Sequence, residues 1–206
     1  MRRLGTTGLL ATAAVMAATA TAAANSPNEL DPQLMTPPPG PGFTWTCFET
    51  GAGATCQGTS ESSYANEPID MECDGHPVYV TGTGRERATR WHDAEYRATK
   101  TFSQHDFPGD RFSLSPTGDG PSLVVKGHWT RHYTYGIPGD RSTRVLTENG
   151  AVYVATMPGQ GVLFHDVGLI RFLPGQDFEG IAEMHGPHDL YSDFDAVERA
   201  VCDVLT

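Results

Sequence analysis

From Phe43 onward, short runs of β-branched and aromatic residues alternate with clusters of Gly, Pro, Asn and Asp. This texture is typical of antiparallel β-proteins, in which tight turns join successive strands. We expect strands near 43–48, 54–58, 69–73, 77–82, 85–91, 94–102, 111–115, 122–135, 143–147, 151–156, 161–173 and 178–183. The pattern therefore predicts a mainly β fold, an antiparallel β-barrel or sandwich with one C-terminal helix packed on it.

Turn residues mark the expected joints between these strands. Within the β-rich region, Pro-Gly dipeptides occur at 108–109, 138–139, 158–159 and 174–175. Proline presets φ for the second position of a turn, and glycine accepts the positive φ that follows. Glu148-Asn149-Gly150 lies between two predicted strands and predicts a further hairpin.

The end of the chain predicts a helix over 193–205. Ser192 is a capping residue, and Asp195, three residues later, completes a capping-box pattern. Apolar residues then recur at helical spacing on one face, at Phe194, Val197, Val201, Val204 and Leu205. We expect this face to pack on the β-structure.

The first 24 residues predict a secretory signal peptide. Arg2 and Arg3 precede an apolar run from Leu9 to Ala20, and the alanines at 22–24 form a small-residue cleavage site. The run is too short, and too rich in Ala and Thr, to span a hydrocarbon layer of about 30 Å. We therefore expect Sec-type export and an extracellular protein.

Two regions follow the signal peptide. Residues 25–42 contain six prolines and little to bury, which predicts an extended, disordered arm. Residues 43–206 are numerous enough for a single domain with its own core. The net charge of the chain is −11, a balance that disfavours nucleic acid and anionic membrane surfaces as partners.

All four cysteines lie beyond the signal peptide. An even number in an exported protein indicates two disulfides, for which three pairings are possible. We favour Cys47–Cys56, because the glycines and alanines at 51–54 turn the chain back, and this leaves Cys73–Cys202. The paired C-x-x-C spacing of structural zinc sites is absent.

Three histidines form the best candidate for a metal site. His185 and His188 flank Gly186-Pro187, a tight loop just before the final helix, and His165 belongs to the predicted strand 161–173. Together they would supply three ligands and an open position, as zinc or copper sites use. In the competing interpretation, Gly-Pro is simply the turn into the helix, and His188 packs or caps there.

Other histidines carry weaker signals. His128 and His132 lie about 13 Å apart if the segment is a strand, which is too far for one zinc ion. Four histidines, at 92, 105, 165 and 188, precede an aspartate directly. Neighbouring side chains on a strand point to opposite faces, so none of these dipeptides forms a catalytic dyad by itself.

The remaining patterns exclude several common chemistries. The sequence lacks a G-x-S-x-G nucleophile elbow, an H-E-x-x-H zinc motif, a Walker loop and a dinucleotide fingerprint. Basic residues concentrate only between 85 and 100, which suits either a solvated sheet face or an anion site. They are Arg85, Arg87, Arg90, Arg97 and Lys100.

The C-terminal half resembles uncharacterised small secreted β-rich proteins of high-GC Gram-positive bacteria. The resemblance rests on the segments 128–133, 147–153, 164–168 and 185–189, and on the closing Asp-Phe-Asp-Ala-Val at 193–197 with its late cysteine. The group has no established activity, so the resemblance implies no catalytic residues.

These observations favour a non-enzymatic secreted protein that binds a small ligand or a cell-envelope component, without a cofactor. One alternative is a metal-dependent hydrolase or oxidoreductase centred on His165, His185 and His188, which would use a divalent metal. Another is a structural envelope protein whose proline-rich arm is a spacer. No pattern determines the oligomeric state.

Overall fold

The computed structural model describes residues 28–157 and 161–206. The predicted signal peptide at 1–24 and the Pro-Gly pair at 158–159 lie outside the described residues. The strands are β1 (Glu29–Leu30), β2 (Thr44–Thr50), β3 (Gly53–Cys73), β4 (His76–His92), β5 (Ala98–Ser113), β6 (Ser122–Tyr135), β7 (Arg144–Met157), β8 (Gly161–Phe172) and β9 (Ile181–His185). The α-helices are α1 (Asp189–Ser192) and α2 (Phe194–Leu205), and short 3-10 helices cover Pro32–Leu34 and Arg141–Thr143.

All the strands belong to one antiparallel sheet in which each strand pairs with its neighbours in the chain, from β1 to β9. Tyr64 of β3 and Phe164 of β8 line the same cavity, although five strand spacings would separate them by about 24 Å in a flat sheet. The sheet is therefore strongly curved. Among residues 28–157 and 161–206 its two edge strands do not pair with each other. The predicted mainly β, antiparallel fold with a C-terminal helix is confirmed.

Several strands are longer than predicted. The segments 54–58 and 69–73 belong to the single strand β3, and 77–82 and 85–91 both belong to β4. Register shifts between Tyr64 and Glu67, and between Pro68 and Glu72, let β3 continue past a proline. Such bulges accept residues that the regular ladder excludes, so a proline inside a run does not have to end a strand.

The Pro-Gly dipeptides divide into two kinds. Pro138-Gly139 and Pro174-Gly175 form turns, and both glycines have positive φ, as predicted. Pro108-Gly109 instead lies inside β5, where the pairing with β6 shifts between Phe107 and Asp110. The prediction of a turn at 108–109 is wrong, because a bulge absorbs the proline that cannot donate to the ladder.

The predicted hairpin at Glu148-Asn149-Gly150 is also wrong, because β7 runs straight through it. Gly150 pairs with Trp129 on one side and with Gly168 on the other. A Cβ at Gly150 would lie 2.7 Å from the carbonyl oxygen of His128 and 2.9 Å from the Cα of Trp129. Glycine is needed here because the neighbouring strand approaches closely. In the sequence, a glycine required for this reason cannot be distinguished from a glycine of a turn.

The C-terminal helix α2 begins at Phe194, one residue later than predicted. Its cap is Asp193, whose carboxylate accepts a hydrogen bond from the Ala196 backbone N–H at 2.9 Å. The prediction that Ser192 caps this helix is wrong, because Ser192 is the last residue of the short helix α1. Val197, Val201 and Leu205 are buried against the sheet, as the helical spacing predicts.

The proline-rich arm is ordered over its described part. Its first residues form β1 beside β2, and Met35 is buried against the Cys47–Cys56 pair. The Thr36 N–H donates to the Tyr96 carbonyl, and the Ala98 N–H donates to the Thr36 carbonyl, both at 2.8 Å. The prediction of a disordered arm is therefore wrong for 28–36, since backbone pairing fixes a segment that has few residues to bury.

The two disulfides join Cys47 to Cys56 and Cys73 to Cys202, the pairing that the sequence favours. The first bridges directly opposite residues of β2 and β3. The second ties α2 to the end of β3, beside the largest apolar cluster, which also contains Val78, Leu123 and Phe164. None of the described helices is long and apolar enough to cross a membrane.

Candidate ligand-binding site

A cavity of about 640 Å³ lies between the curved sheet, α1 and the first residue of α2. We call the face of the sheet that lines it the inner face. The lining consists of six aromatic, five aliphatic and three acidic side chains. These are Tyr64, Phe112, Tyr153, Phe164, Tyr191 and Phe194; Ile69, Met71, Val80, Val125 and Leu190; and Glu67, Asp70 and Asp110. Phe194 and Tyr153 are 45% and 40% exposed, so the cavity opens to solvent beside them.

Tyr64 and Asp110 form the polar centre of this cavity. The Tyr64 hydroxyl donates a hydrogen bond of 2.5 Å to Oδ1 of Asp110. Burial raises the pKa of Asp110, and the bond from Tyr64 opposes that shift. Burial, followed by the hydrogen bond to Asp110, raises the pKa of Tyr64, so the phenol keeps its proton. The pair is a fixed acceptor in an otherwise mostly apolar wall.

Gly82 makes room for this pair on β4. A Cβ at this position would lie 2.1 Å from Oδ1 of Asp110 and 2.9 Å from the Tyr64 ring. Any larger residue would therefore displace the carboxylate or the ring.

The charge of the lining is one-sided. Glu67, Asp70 and Asp110 carry carboxyl groups, and among the described residues that line the cavity there is no lysine, arginine or histidine. An apolar cavity with carboxylates and aromatic faces attracts cations and repels anions.

The short helix α1 supplies Leu190 and Tyr191 to the cavity, and two of the predicted metal-site histidines hold it in place. The backbone N–H of His165 donates to the Asp189 carboxylate at 2.8 Å, and the ring Nδ1 of His165 lies 3.1 Å from the same oxygen. The His188 ring donates through Nε2 to the His185 carbonyl at 3.0 Å. His188 directly precedes α1, so this bond anchors the loop that positions the helix.

The structure places His165 on β8, His185 at the end of β9 and His188 just before α1, and it gives them separate acidic neighbours. His165 contacts Asp189, the exposed His185 ring contacts Glu183 at 2.7 Å, and the buried His188 ring lies 3.7 Å from Asp166. In the part of the chain that the structure describes, no three His, Cys, Asp or Glu side chains are grouped to hold a metal ion. The metal site stays a prediction.

Asp166 and His188 form a buried pair behind α1. Asp166 is 0% exposed, and within residues 28–157 and 161–206 no side chain donates a hydrogen bond to its carboxylate. Burial raises the pKa of Asp166 to about 6, and the charge of His188 opposes the shift. No sequence pattern indicated this pair, because Asp166 lies on β8 and His188 lies beyond β9.

The basic residues between 85 and 100 do not converge. Arg85 pairs with Glu61 at 3.2 Å, and Arg97 pairs with Asp93 at 2.8 Å. Arg90 is buried and donates to the Pro37 carbonyl at 3.1 Å. Lys100 lies 4.7 Å from the centre of the Trp91 ring. These contacts agree with a partly solvated sheet rather than with an anion site.

A second polar group occupies the inner face farther along the strands, and sequence reasoning missed it. Arg131 of β6 donates to Glu148 of β7 at 2.5 Å, and Glu148 is 1% exposed. The Arg131 guanidinium also lies 5.5 Å from the centre of the Trp129 ring. Alternation along β6 places Trp129 and Arg131 on one face, but only the sheet register shows that Glu148 lies opposite Arg131.

The chain was compared with known proteins. No model of a protein family matches it, and no curated protein or solved structure matches it either.

Proposed function

We propose that this protein is a secreted binding protein whose cavity takes a small, largely apolar ligand with a positively charged group. The observation that carries the proposal is the lining of the 640 Å³ cavity. The described residues that form it are aromatic, aliphatic and acidic, with no cationic side chain among them.

The size and shape of the cavity suit a small molecule. Ligand sites in proteins commonly span about 300–1,000 Å³ and are lined mostly by apolar and aromatic groups with a few fixed polar ones. Here the Tyr64–Asp110 pair is the fixed polar group, and Phe194 and Tyr153 flank the opening. A flexible chain of about ten carbons with a compact head group would fit this volume.

The positive charge of the ligand follows from the electrostatics of the lining. An ammonium group near Asp110 would offset the cost of burying that carboxylate, and the six aromatic rings offer further favourable contacts. An anionic head group would instead approach the partly buried carboxylate of Asp110, and the exposed Glu67 and Asp70 would add to this unfavourable like-charge repulsion.

Secretion is part of the same proposal. The predicted signal peptide at 1–24 and the two disulfides support it, because disulfides form and persist mainly in oxidising compartments. The acidic net charge supports solubility outside the cell.

Three amphiphiles with the same chain test the proposal. Decyltrimethylammonium, decanol and decyl sulfate are titrated into the protein below their aggregation concentrations, and binding is followed by calorimetry. We expect the affinity to fall in that order, and added salt to weaken only the binding of the ammonium compound. Equal affinities, or tighter binding of the sulfate, would contradict the charge preference.

Two matched valine variants locate the binding site. Val80→Phe fills the cavity from β4, whereas Val124→Phe adds the same volume at an exposed position of β6 outside the lining. Binding should be lost or weakened at least tenfold in the first variant and unchanged in the second. If both variants bind like the wild type while remaining folded, the ligand does not occupy this cavity.

Asp110→Asn tests the role of the buried carboxylate. The variant should bind decyltrimethylammonium about five- to tenfold more weakly at neutral pH and bind decanol normally, a difference of about 1 kcal/mol. Because the pKa of Asp110 is raised, acidification should weaken wild-type binding at a higher pH than for an ordinary aspartate. The pH dependence should be smaller in the variant.

A further inference from the structure

Three residues of the inner face form a chain of polar contacts that runs from a hydroxyl through an imidazole to a carboxylate. The Ser103 Oγ lies 2.9 Å from Nε2 of His105. On the other side of the ring, Nδ1 of His105 lies 3.2 Å from Oε2 of Glu86. A nucleophile, a base and an acid that orients the base stand in the same order in serine hydrolases.

The register of the sheet produces this arrangement. Ser103 and His105 are two residues apart on β5, so their side chains share a face. Glu86 of β4 is the direct cross-strand partner of His105. Two adjacent strands therefore hold all three groups, without a loop.

The surroundings fix the imidazole in the required orientation. The His105 ring stacks on Trp129 of β6, with centroids 4.8 Å apart and planes inclined by 9°. The hydrogen bond from His105 lowers the pKa of Glu86, so this carboxylate is ionised at neutral pH. An ionised Glu86 accepts from Nδ1–H, which leaves Nε2 with a lone pair facing the Ser103 hydroxyl.

We propose that Ser103, His105 and Glu86 form a hydrolytic triad that cleaves esters with a small acyl group. The Ser103 oxygen attacks the carbonyl carbon while its proton passes to Nε2 of His105. That proton then goes to the departing alcohol, and an acyl-serine remains. A water molecule gives a proton to Nε2 and attacks the acyl-serine. As the carboxylic acid leaves, Nε2 returns this proton to the Ser103 oxygen, which restores the serine and the neutral imidazole.

Arg131 lies beside the triad, where its guanidinium pairs with Glu148 at 2.5 Å. It is the direct cross-strand partner of Ser103 on β6, and its charge contributes to the lowered pKa of Glu86.

The exposure around the triad limits the substrate. Ser103 is 6% exposed, so only a compact acyl group can reach its oxygen. The side chain of Glu86 is 28% exposed, and Ser62 on the same face of β3 is exposed, so water reaches this part of the inner face from the β3 side. None of the three triad residues lines the cavity described above, so the proposal is independent of ligand binding there.

Active-site labelling is the first test. The folded, oxidised protein is treated with a small fluorophosphonate, which phosphonylates activated serines, and the modified peptide is identified by mass spectrometry. We expect labelling at Ser103, with hydrolysis of p-nitrophenyl acetate lost in parallel. The absence of label on Ser103 in the folded protein would overturn the proposal.

Variants separate chemistry from folding. Ser103→Ala and His105→Gln should each lower p-nitrophenyl acetate turnover by about 10³-fold or more, and Glu86→Gln should lower kcat while KM changes little. Thr101→Val is the matched control, because Thr101 carries a buried hydroxyl on the same face of β5 outside the triad. It should keep full activity. Wild-type turnover in folded Ser103→Ala would refute the assignment.

Discussion

Asp166 shows how burial of a single side chain becomes a pH dependence of the whole fold. Its buried carboxylate accepts no side-chain hydrogen bond from the described residues, and Nδ1 of His188 lies 3.7 Å from it. Burial raises its pKa to about 6, above the ordinary value near 4 that the unfolded chain presents. The folded state therefore binds this proton more tightly than the unfolded state. Stability from this group is complete below pH 4 and is lost as the pH rises through 6.

Asp166→Asn should remove this loss. The free energy of unfolding of the variant, relative to wild type, should rise between pH 4 and pH 7 by up to about 3 kcal/mol, at about 1.4 kcal/mol per pKa unit. Urea unfolding at several pH values measures the difference. Asp106→Asn is the matched exposed variant, since that side chain is 56% exposed, and the rise should be larger for Asp166→Asn. A constant difference for Asp166→Asn would contradict the assigned ionisation.

At the scale of elements, two adjacent residues have different structural roles where α1 ends and α2 begins. Asp193 caps α2 by accepting from the Ala196 N–H, whereas Ser192 closes α1, the helix that contributes Leu190 and Tyr191 to the cavity. The sequence places a helix here correctly but assigns the cap to the wrong residue, because Ser192 and Asp193 are both good capping residues. Only the break between α1 and α2 decides between them.

Paired alanine variants test this assignment. Asp193→Ala should lower the free energy of unfolding by about 1 kcal/mol, because an N–H at the start of α2 loses its acceptor. Ser192→Ala should change it by only a few tenths of that amount. Denaturant midpoints of the two variants measure the difference. A larger loss of unfolding free energy for Ser192→Ala than for Asp193→Ala would instead support the capping box that the sequence predicts.

At the scale of the molecule, the two disulfides constrain very different lengths of chain. Cys47–Cys56 closes a loop with a sequence separation of 9, whereas Cys73–Cys202 closes one of 129 and ties α2 to β3. In the loop-entropy description, the longer closure restricts the unfolded chain more. Because α2 also packs on the largest apolar cluster, the second bridge holds the helix over the cavity end of the sheet.

Removing each bridge as a pair of alanines tests this difference. Cys73→Ala/Cys202→Ala should lower the free energy of unfolding by about 5 kcal/mol, and Cys47→Ala/Cys56→Ala by about 2.6 kcal/mol, on loop entropy alone. Hydrogen exchange should also accelerate in α2 in the first variant only. Equal destabilisation by both pairs, with α2 still protected, would show that the helix is held by packing without help from the bridge.

Local signals determined much of this fold. Runs of β-branched residues between turn residues predicted the antiparallel fold class. Turns are present at Pro138-Gly139 and Pro174-Gly175, where the sequence predicts them. The spacing of Val197, Val201 and Leu205 predicted the buried face of α2. These features depend on residues close in the chain, so a sequence displays them directly. The turns predicted at Pro108-Gly109 and Asn149-Gly150 are wrong for the same reason. A bulge in a strand, or a close approach between strands, requires the same residue types as a turn.

The sites belong to the tertiary structure. The sequence alone determined a β-rich chain with a predicted export signal, an acidic composition and a favoured cysteine pairing, because each depends on residue type or on local order. Only the register of the sheet placed Glu86 beside His105, Asp110 beside Tyr64 and Asp166 beside His188. Curvature then enclosed a cavity between residues of six strands and two helices. Such contacts join residues far apart in the chain, and their alignment follows from strand pairing that no local pattern encodes.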